Sequence, residues 1–370
     1  MKILYGVQGT GNGHISRARE MARAFKVLGQ PVDFFFSGRE PDKYFDMGCF
    51  GDYRTAHGLT FVTQQGKIAP LQTALQARPF TFINEVKQLS LSAYDVVIND
   101  FEPVTAWAAR QQKVPTIGVS HQCAFTHPVP KKDQTWFDKQ LIRHFAPAEQ
   151  KIGLHWHHFD APILPPIIPA LDVSKVSNDG SVVVYLPFEA LDEVVVLLQH
   201  FPQVVFHCYH PDIQAEQQQE NMYLHPLSHT DFHQHLLRCM GVIASGGFEL
   251  PSEAMALGKK LLIKPLGGQF EQQSNTLTLT MMGLAQPMTL MEPSIIRHWL
   301  GVEPIGKVYF PDVALAVAQW VLNMESYQFD ELCEQLWSQV EFPECVTDIL
   351  LDFQASPSRL SKANLINGVY

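Results

Sequence analysis

The chain has 370 residues, of which 46% are hydrophobic and 17% are charged, and this composition excludes a disordered protein. Its formal net charge of −10 argues against a general nucleic-acid binder, because repulsion from phosphate would be uncompensated over most of the surface. At this length two domains are expected, and no apolar run reaches the ~18 residues that a membrane-spanning helix needs.

The cysteines and the first residues favour a cytoplasmic protein. The six cysteines are scattered without a C-x-x-C pair, which is typical of free thiols in a reducing compartment. The opening MKILYGVQG is interrupted by glycine too early for a secretory signal. We expect a cytoplasmic location with no transmembrane segment, and peripheral contact with the inner membrane face stays open. The oligomeric state is not indicated.

The N-terminal segment combines a strand, a glycine-rich turn and a helix. Residues 2–7 read as a buried strand, and residues 15–28 carry apolar side chains at helical spacing. The turn between them departs from G-x-G-x-x-G, because Ser16 stands in place of the third glycine, so it is a weak dinucleotide signal on its own. His14 follows three spaced glycines, where it is either a catalytic base or a helix-capping or phosphate contact.

Strands and helices alternate along the rest of the N-terminal half. Further strands are predicted at 32–36, 94–99 and 114–119, and a helix at 104–111. Strands that are apolar throughout and separated by helices imply a parallel sheet covered on both faces. Ligands bind beyond the carboxyl ends of such strands, and we expect a shared crevice there. The polar residues at those ends are His14, Asp100, Ser120 and His121.

Asp100 has two readings from the sequence. A carboxylate beside His14 would raise the basicity of the imidazole and fix its tautomer. Alternatively, Asp100 caps the N-terminus of the helix that follows it. Both readings stay open.

A proline-rich segment separates the two halves of the chain. Residues 159–181 carry four prolines and then Asn178-Asp179-Gly180, a stiff stretch followed by a turn. Beyond it, strands are predicted at 181–186, 204–209, 222–224, 241–244 and 260–263.

Residues 245–275 read SGGFELPSEAMALGKKLLIKPLGGQFEQQSN and are the most informative stretch. Two glycines let the backbone approach an anion at a helix start, where free N–H groups and the helix dipole favour phosphate. Glu253, about two turns into that helix, is placed to accept hydrogen bonds from a ribose diol. A polar loop is expected next, whose carboxamides suit sugar hydroxyls. The predicted donor-binding residues are Ser245, Gly246, Gly247, Glu253, Gln269, Glu271, Gln272, Gln273 and Asn275.

The two stretches resemble the GT-B glycosyltransferases, in the branch that holds family 28 and the UDP-glucuronosyltransferase-like enzymes. G-T-G-N-G-H matches that group's glycine turn with histidine. S-G-G-x-x-x-x-x-E-x-x-x-x-G-K, followed by E-Q-Q-x-N, matches its donor signature. More narrowly, the chain is similar to a little-characterised bacterial and archaeal branch with G-G-F-E-x-x-S-E-A and G-Q-F-E-Q. The resemblance covers roughly residues 1–340.

The resemblance implies an α/β fold of the GT-B type, with two Rossmann-like, doubly wound parallel-sheet domains facing a cleft. We expect an acceptor domain at 1–160, a linker at 161–180 and a donor-binding domain at 181–345. A C-terminal helix and tail at 346–370 would cross back to the first domain. The implied reaction moves a sugar from a nucleotide sugar, expected to be UDP-linked, to a hydroxyl of a glycan, a lipid-linked sugar or a small molecule. Cell-envelope or polysaccharide synthesis is the implied setting.

The resemblance also implies roles for individual residues. In the UDP-glucuronosyltransferase-like enzymes, an aspartate at the end of a matching strand partners the glycine-turn histidine, and Asp100 in VVINDFEP is the matching position. His14 would then be the general base and Asp100 its partner. The remaining expected residues are Gly11 and Gly13 in the glycine turn and, on the acceptor side, Ser120 and His121.

One departure from family 28 concerns the phosphate. Those enzymes place a glycine-rich turn after the first strand of the second domain, whereas this chain has Tyr185-Leu186-Pro187-Phe188-Glu189. Phosphate binding is therefore expected to fall on the S-G-G turn instead.

Histidine clusters raise the question of a metal. They comprise His155, His157 and His158, and then His225, His229, His233 and His235. A spacing of four suits zinc on a helix face, but no cysteine or glutamate completes a known pattern. We expect no metal and no cofactor, with the nucleotide sugar acting as co-substrate.

Two rival functions stay open. UDP-N-acetylglucosamine 2-epimerases share the architecture, and extra cleft carboxylates placed for anti-elimination would favour that reaction. A non-catalytic nucleotide-sugar-binding protein would keep the S-G-G to E-Q-Q segment without needing His14 or Asp100. Because both residues are present, the sequence favours an enzyme.

Overall fold

The computed structural model describes residues 1–59, 63–64, 67–68, 78–170 and 173–355. Its strands are β1 (Ile3–Gln8), β2 (Val32–Ser37), β3 (Arg54–Ala56), β4 (Thr63–Gln64), β5 (Lys67–Ile68), β6 (Val96–Asp100), β7 (Thr116–Ser120), β8 (Gln150–Leu154), β9 (Ile163–Leu164), β10 (Val182–Tyr185), β11 (Phe206–Tyr209), β12 (Gln217–Gln219), β13 (Met222–His225), β14 (Gly241–Ser245), β15 (Lys260–Lys264) and β16 (Gln286–Pro287). Its helices are α1 (Asn12–Val27), α2 (Pro79–Gln88), α3 (Pro103–Gln112), α4 (His121–Ala124), α5 (Trp136–His144), α6 (Leu191–Leu198), α7 (His229–Arg238), α8 (Glu249–Ala256), α9 (Phe270–Met281), α10 (Pro293–Leu300), α11 (Val313–Leu322), α12 (Phe329–Trp337) and α13 (Glu344–Ala355).

The described residues form two seven-stranded sheets and a small two-stranded one. The first large sheet has the order β3-β2-β1-β6-β7-β8-β9, and the second has the order β12-β13-β11-β10-β14-β15-β16. Within these two sheets the pairings are parallel, apart from the antiparallel pairing of β12 with β13. The predicted α/β class with two doubly wound parallel sheets is confirmed.

Each large sheet reverses its strand order at one point. In the first sheet β1 lies between β2 and β6, and in the second β10 lies between β11 and β14. At the first point the register pairs Val7 with Asp100, so the end of β6 lies beside the start of the loop into α1. Ligands bind at such reversal points in open α/β sheets.

Burial explains why the central strands are apolar throughout. All six residues of β1 and all five of β6 are buried. Helix α1 packs on this sheet with its buried face, which includes Ile15, Ala18 and Met21. The helix begins at Asn12, three residues earlier than predicted, because Gly11 provides the extended N-cap. His14 therefore lies inside the first turn of α1 rather than in the loop before it.

One hydrophobic core continues from the first sheet into the second. It contains Tyr5 and Phe36 from the first sheet and Val242 and Ile263 from the second. The C-terminal helices pack back toward the first sheet: Trp337 Nε1 of α12 donates to the Ile163 carbonyl at 2.6 Å. Leu350 of α13 lines a small cavity together with residues that precede the second sheet.

Two further points concern the ends of the described chain. The polar tail around Ser356-Pro357-Ser358 lies outside the described residues. None of the helices described is both long and apolar enough to cross a bilayer.

Candidate active site

His14 and Asp100 meet at the reversal point of the first sheet. The distance between His14 Nδ1 and Asp100 Oδ1 is 2.8 Å. The His14 side chain is 14% exposed, whereas Asp100 is fully buried. A carboxylate accepts only, so this contact favours the tautomer with its proton on Nδ1, whereas the Arg17 NH2 group, which only donates, also lies 3.0 Å from Nδ1. In the tautomer with the proton on Nδ1, the lone pair of Nε2 is available to accept a proton.

Arg17, which the sequence analysis did not single out, binds the carboxylate of Asp100. Its Nε donates to Asp100 Oδ2 at 2.8 Å and its NH2 group donates to Oδ1 at 2.7 Å. Burial alone would raise the pKa of Asp100, but Arg17 and then His14 hold that pKa below its ordinary value. Asp100 is therefore ionised at neutral pH despite its complete burial.

The cap of helix α3 decides between the two readings of Asp100. The capping side chain is Glu102, which accepts from the Val104 N–H at 2.7 Å and from the Thr105 N–H at 2.6 Å. The helix begins one residue after Glu102, too far along the chain for Asp100 to act as the cap. Asp100 is left to bind His14 and Arg17.

Glu249 brings the second sheet into this network and was also missed. It is the first residue of α8, and its carboxylate accepts from the Arg17 NH1 group. Burial raises the pKa of Glu249, while Arg17 and His14 oppose that rise. A Cβ on Gly13 would come within 2.8 Å of Glu249 Oε2, so glycine at 13 allows the two helices to approach. The three-residue spacing of His14 and Arg17 puts both side chains on one face of the helix, and this spacing could have identified Arg17 from the sequence.

The S-G-G turn lies between β14 and α8, the helix whose first residue, Glu249, binds Arg17. The N–H of Gly246 is not available to an anion, contrary to the prediction, because it donates to Gln272 Oε1 at 3.1 Å. A Cβ at this position would lie 2.7 Å from the Gln272 carbonyl oxygen. A Cβ on Gly247 would meet no atom of the structure within 4 Å, so open space lies on that side. The Ser245 hydroxyl is buried without a hydrogen-bond partner among the described residues.

Glu253 lies in α8 one turn beyond Glu249 and is 8% exposed. Among the residues the structure describes, no hydrogen bond reaches its carboxyl group. Burial raises its pKa to about 8, and Glu249 and Glu20 add to that rise while Arg19 opposes it. A largely buried carboxyl group for which the described residues supply no hydrogen-bond partner is unusual.

The polar residues after β15 do not form the predicted loop. Gln269 caps α9 by accepting from the Gln272 N–H at 2.6 Å, and the rest belong to that helix. Gln272 is turned into the domain, because its Oε1 accepts from the N–H groups of Gly246 and Leu266. The amide of Gln273, oriented to suit its neighbours, bonds Asp133 and the Gly268 N–H.

Glu271 and Asn275 link the two halves of the chain. Glu271 Oε2 accepts from Gln122 Nε2 at 3.0 Å. Asn275 is fully buried, its amide nitrogen donates to the Gly246 carbonyl at 3.0 Å, and its oxygen lies 2.6 Å from His121 Nε2. Both functional atoms of Asn275 are therefore occupied within the protein.

Ser120 and His121 do not line an acceptor face. Ser120 is fully buried and caps α4 by accepting from the Cys123 N–H. His121 is 1% exposed, its Nδ1 lies 2.8 Å from the Leu154 carbonyl, and its ring stacks on Phe248 at 3.9 Å. Burial lowers the pKa of His121. These residues fall at strand ends, as predicted, but Phe248 and Asn275 from the second half of the chain cover His121.

The histidines before the linker bind their own backbone. His155, His157 and His158 each use Nδ1 to accept an N–H from a residue one or two positions later. Those nitrogens are unavailable to a shared ion.

Comparison with known proteins decides the family. Residues 1–303 match the family model described as glycosyl transferase family 1. The chain belongs to this family. It is a glycosyltransferase, and no curated protein matches it significantly in sequence.

Solved structures of other glycosyltransferases share the fold of this family 1 glycosyltransferase. It superposes on the glycosyltransferase SnogD from Streptomyces nogalater with a TM-score of 0.51 and 13% identity, over 96% of this chain and 99% of that one. LpCGTa in complex with UDP gives 0.55 and 13%, over 91% and 98%. UGT89C1 of Arabidopsis thaliana complexed with UDP gives 0.54 and 10%, over 90% and 99%. The predicted GT-B fold is confirmed.

Proposed function

We propose that this glycosyltransferase moves a sugar from a UDP-linked donor to an acceptor hydroxyl, with His14 as general base. The observation that carries the proposal is the 2.8 Å contact between His14 Nδ1 and Asp100 Oδ1 at the reversal point of the first sheet. Asp100 keeps the proton on Nδ1, so Nε2 accepts the acceptor's hydroxyl proton. Arg17 keeps Asp100 ionised.

The donor lies across the cleft, against the S-G-G turn and α8. The N-terminal N–H groups of α8 face the diphosphate and stabilise its charge as it departs. The unpartnered Ser245 hydroxyl and the open side of Gly247 support this position. The unpartnered carboxyl group of Glu253 supports a hydrogen bond to the ribose diol. The UDP bound in two of the superposed structures supports uracil as the base.

The reaction is a single displacement. The acceptor oxygen forms a bond to the anomeric carbon as the bond from that carbon to the diphosphate oxygen breaks. His14 takes the hydroxyl proton and UDP carries away the negative charge. Attack from the side opposite the leaving group inverts the anomeric configuration. The scheme draws on no metal and no cofactor beyond the donor.

The acceptor is a hydroxyl compound held on the side of the first sheet, a glycan, a lipid-linked sugar or a small molecule. Trp136 and Phe137 in α5 are 73% and 62% exposed, which favours an acceptor or carrier with an apolar part. A lipid carrier would bring the enzyme to the cytoplasmic face of a membrane, in envelope or polysaccharide synthesis.

The epimerase alternative gains no support from the three carboxylates that are bound by protein donors. Asp100 and Glu249 both accept from Arg17, and Glu271 accepts from Gln122. Carboxylates that are held in this way by the protein are poorly placed to remove and return a proton on a sugar ring.

A donor screen tests the proposal. Thermal melting with UDP-, GDP- and dTDP-sugars should show the largest rise for a UDP-sugar, because a ligand that binds only the folded state raises its stability. Glu253→Ala should weaken that donor by about 1–3 kcal/mol, or roughly 5- to 150-fold. Assays with soluble glycans and polyprenol-linked sugars then separate the acceptor classes. Binding of none of the nucleotide sugars would contradict the proposal.

A further inference from the structure

Three histidine rings from the second half of the chain converge on one another. His207 comes from β11, His225 from the end of β13 and His235 from α7. One ring nitrogen from each lies within 4.8 Å of the others. His207 Nδ1 and His225 Nε2 are 3.0 Å apart, and the rings of His207 and His235 stack with centroids 3.7 Å apart. The spacing of the histidines in the sequence does not indicate this cluster, because 18 residues separate His207 from His225.

Two outer side chains fix the ring nitrogens that face away from the cluster. His225 Nδ1 lies 2.6 Å from Glu216 Oε2, so this nitrogen carries the proton and Nε2 has its lone pair toward His207. His235 Nδ1 lies 2.6 Å from the Tyr209 hydroxyl. A carboxylate or hydroxyl bound to the outer nitrogen is the usual support of a metal-ligating histidine.

We propose that His207, His225 and His235 bind one divalent ion of the zinc class, with a water molecule in the fourth position. Zn–N bonds of about 2.0–2.1 Å in a tetrahedron put two ligand nitrogens roughly 3.3 Å apart, close to the 3.0 Å seen here between His207 and His225. Histidine χ2 is a broad torsion, so the stacked rings can turn toward a common ion without movement of the backbone. His207 then carries its proton on Nε2.

The ion would join α7 to β11 and β13. It takes no part in sugar transfer, and its presence is independent of the proposed function. Because the ion binds the folded protein, it would raise the melting temperature.

Zinc titration of untagged protein, stripped with a chelator and dialysed, tests the site. Calorimetry should give one Zn²⁺ per chain, and His207→Gln and His235→Gln should each abolish that binding. Glu216→Gln should weaken binding 10- to 100-fold. Glu216 is 63% exposed, so this variant keeps the test valid even if the histidine variants fold poorly.

The matched controls are His229→Gln and His233→Gln. These two histidines are four residues apart on α7, with ring centroids 6.3 Å apart, and they offer the competing surface site. Both variants should bind zinc as the wild type does. The proposal is overturned if zinc binding is absent from the wild type, survives both cluster substitutions, or is lost with His229→Gln.

Discussion

Glu253 offers a stability prediction whose size follows from its burial. Its pKa is raised from the ordinary 4.5 to about 8, chiefly by burial and then by Glu249 and Glu20. At about 1.4 kcal/mol per pKa unit, that shift lowers the unfolding free energy by about 5 kcal/mol at a pH where the group is ionised in both the folded and the unfolded state. We therefore expect Glu253→Gln to change the pH dependence of unfolding.

The sign follows from which state binds more protons. Between pH 4.5 and about 8 the folded protein keeps the Glu253 proton and the unfolded chain has lost it, so this residue lowers the unfolding free energy as pH rises. Below pH 4.5 both states are protonated, and above about 8 both are ionised. The unfolding free energy of the Gln variant minus that of the wild type should therefore increase by up to about 5 kcal/mol between pH 4.5 and pH 8.

Urea unfolding of the ligand-free protein at several pH values between 4.5 and 9 measures this difference. Any fixed cost of a buried amide shifts the Gln curve by a constant and leaves its pH dependence untouched. Glu193→Gln, at an exposed position of α6, is the matched control. A wild-type and a Glu253→Gln curve that run parallel across this window would refute the account of a buried, unpartnered carboxyl group.

Two further outcomes concern residues with internal partners. Arg17→Met should lower the unfolding free energy by about 3–5 kcal/mol, because Asp100 is left as a buried charge without its partner. The double variant with Asp100→Asn should recover part of that loss. Denaturant midpoints that show no recovery would contradict this. Gln272→Ala should cost about 1–3 kcal/mol of stability, because two backbone N–H groups lose their acceptor, and it should affect free UDP and full donor alike. A loss confined to the full donor would instead place Gln272 on the sugar.

The fold could be predicted from local patterns because those patterns are periodic. Apolar runs separated by helical spacing gave the parallel sheets, and the predicted strands such as 32–36 and 260–263 match β2 and β15 to within a residue. The pairing of His14 with Asp100 was also accessible, because carboxyl ends of neighbouring parallel strands meet at one edge.

Contacts between distant segments were not accessible in the same way. Arg17 carries no motif, and its partners Asp100 and Glu249 lie 83 and 232 residues away in the chain. The polar character of Gln272 and Asn275 suggested ligand contacts, whereas their amides bond the backbone of the S-G-G turn. Carboxamides serve either purpose, and only the position of α9 against that turn distinguishes them.

Single-turnover kinetics of His14→Ala tests the central claim most directly. The proposal places the donor against the second sheet and its helices, so we expect its affinity, measured by calorimetry, to change less than about 3-fold, an effect well below 1 kcal/mol. A positioned base contributes roughly 10²–10⁴-fold, so the rate of sugar transfer from bound donor should fall by that factor. If His14→Ala abolishes donor binding and leaves transfer from bound donor unchanged, His14 is a phosphate contact and the base lies elsewhere.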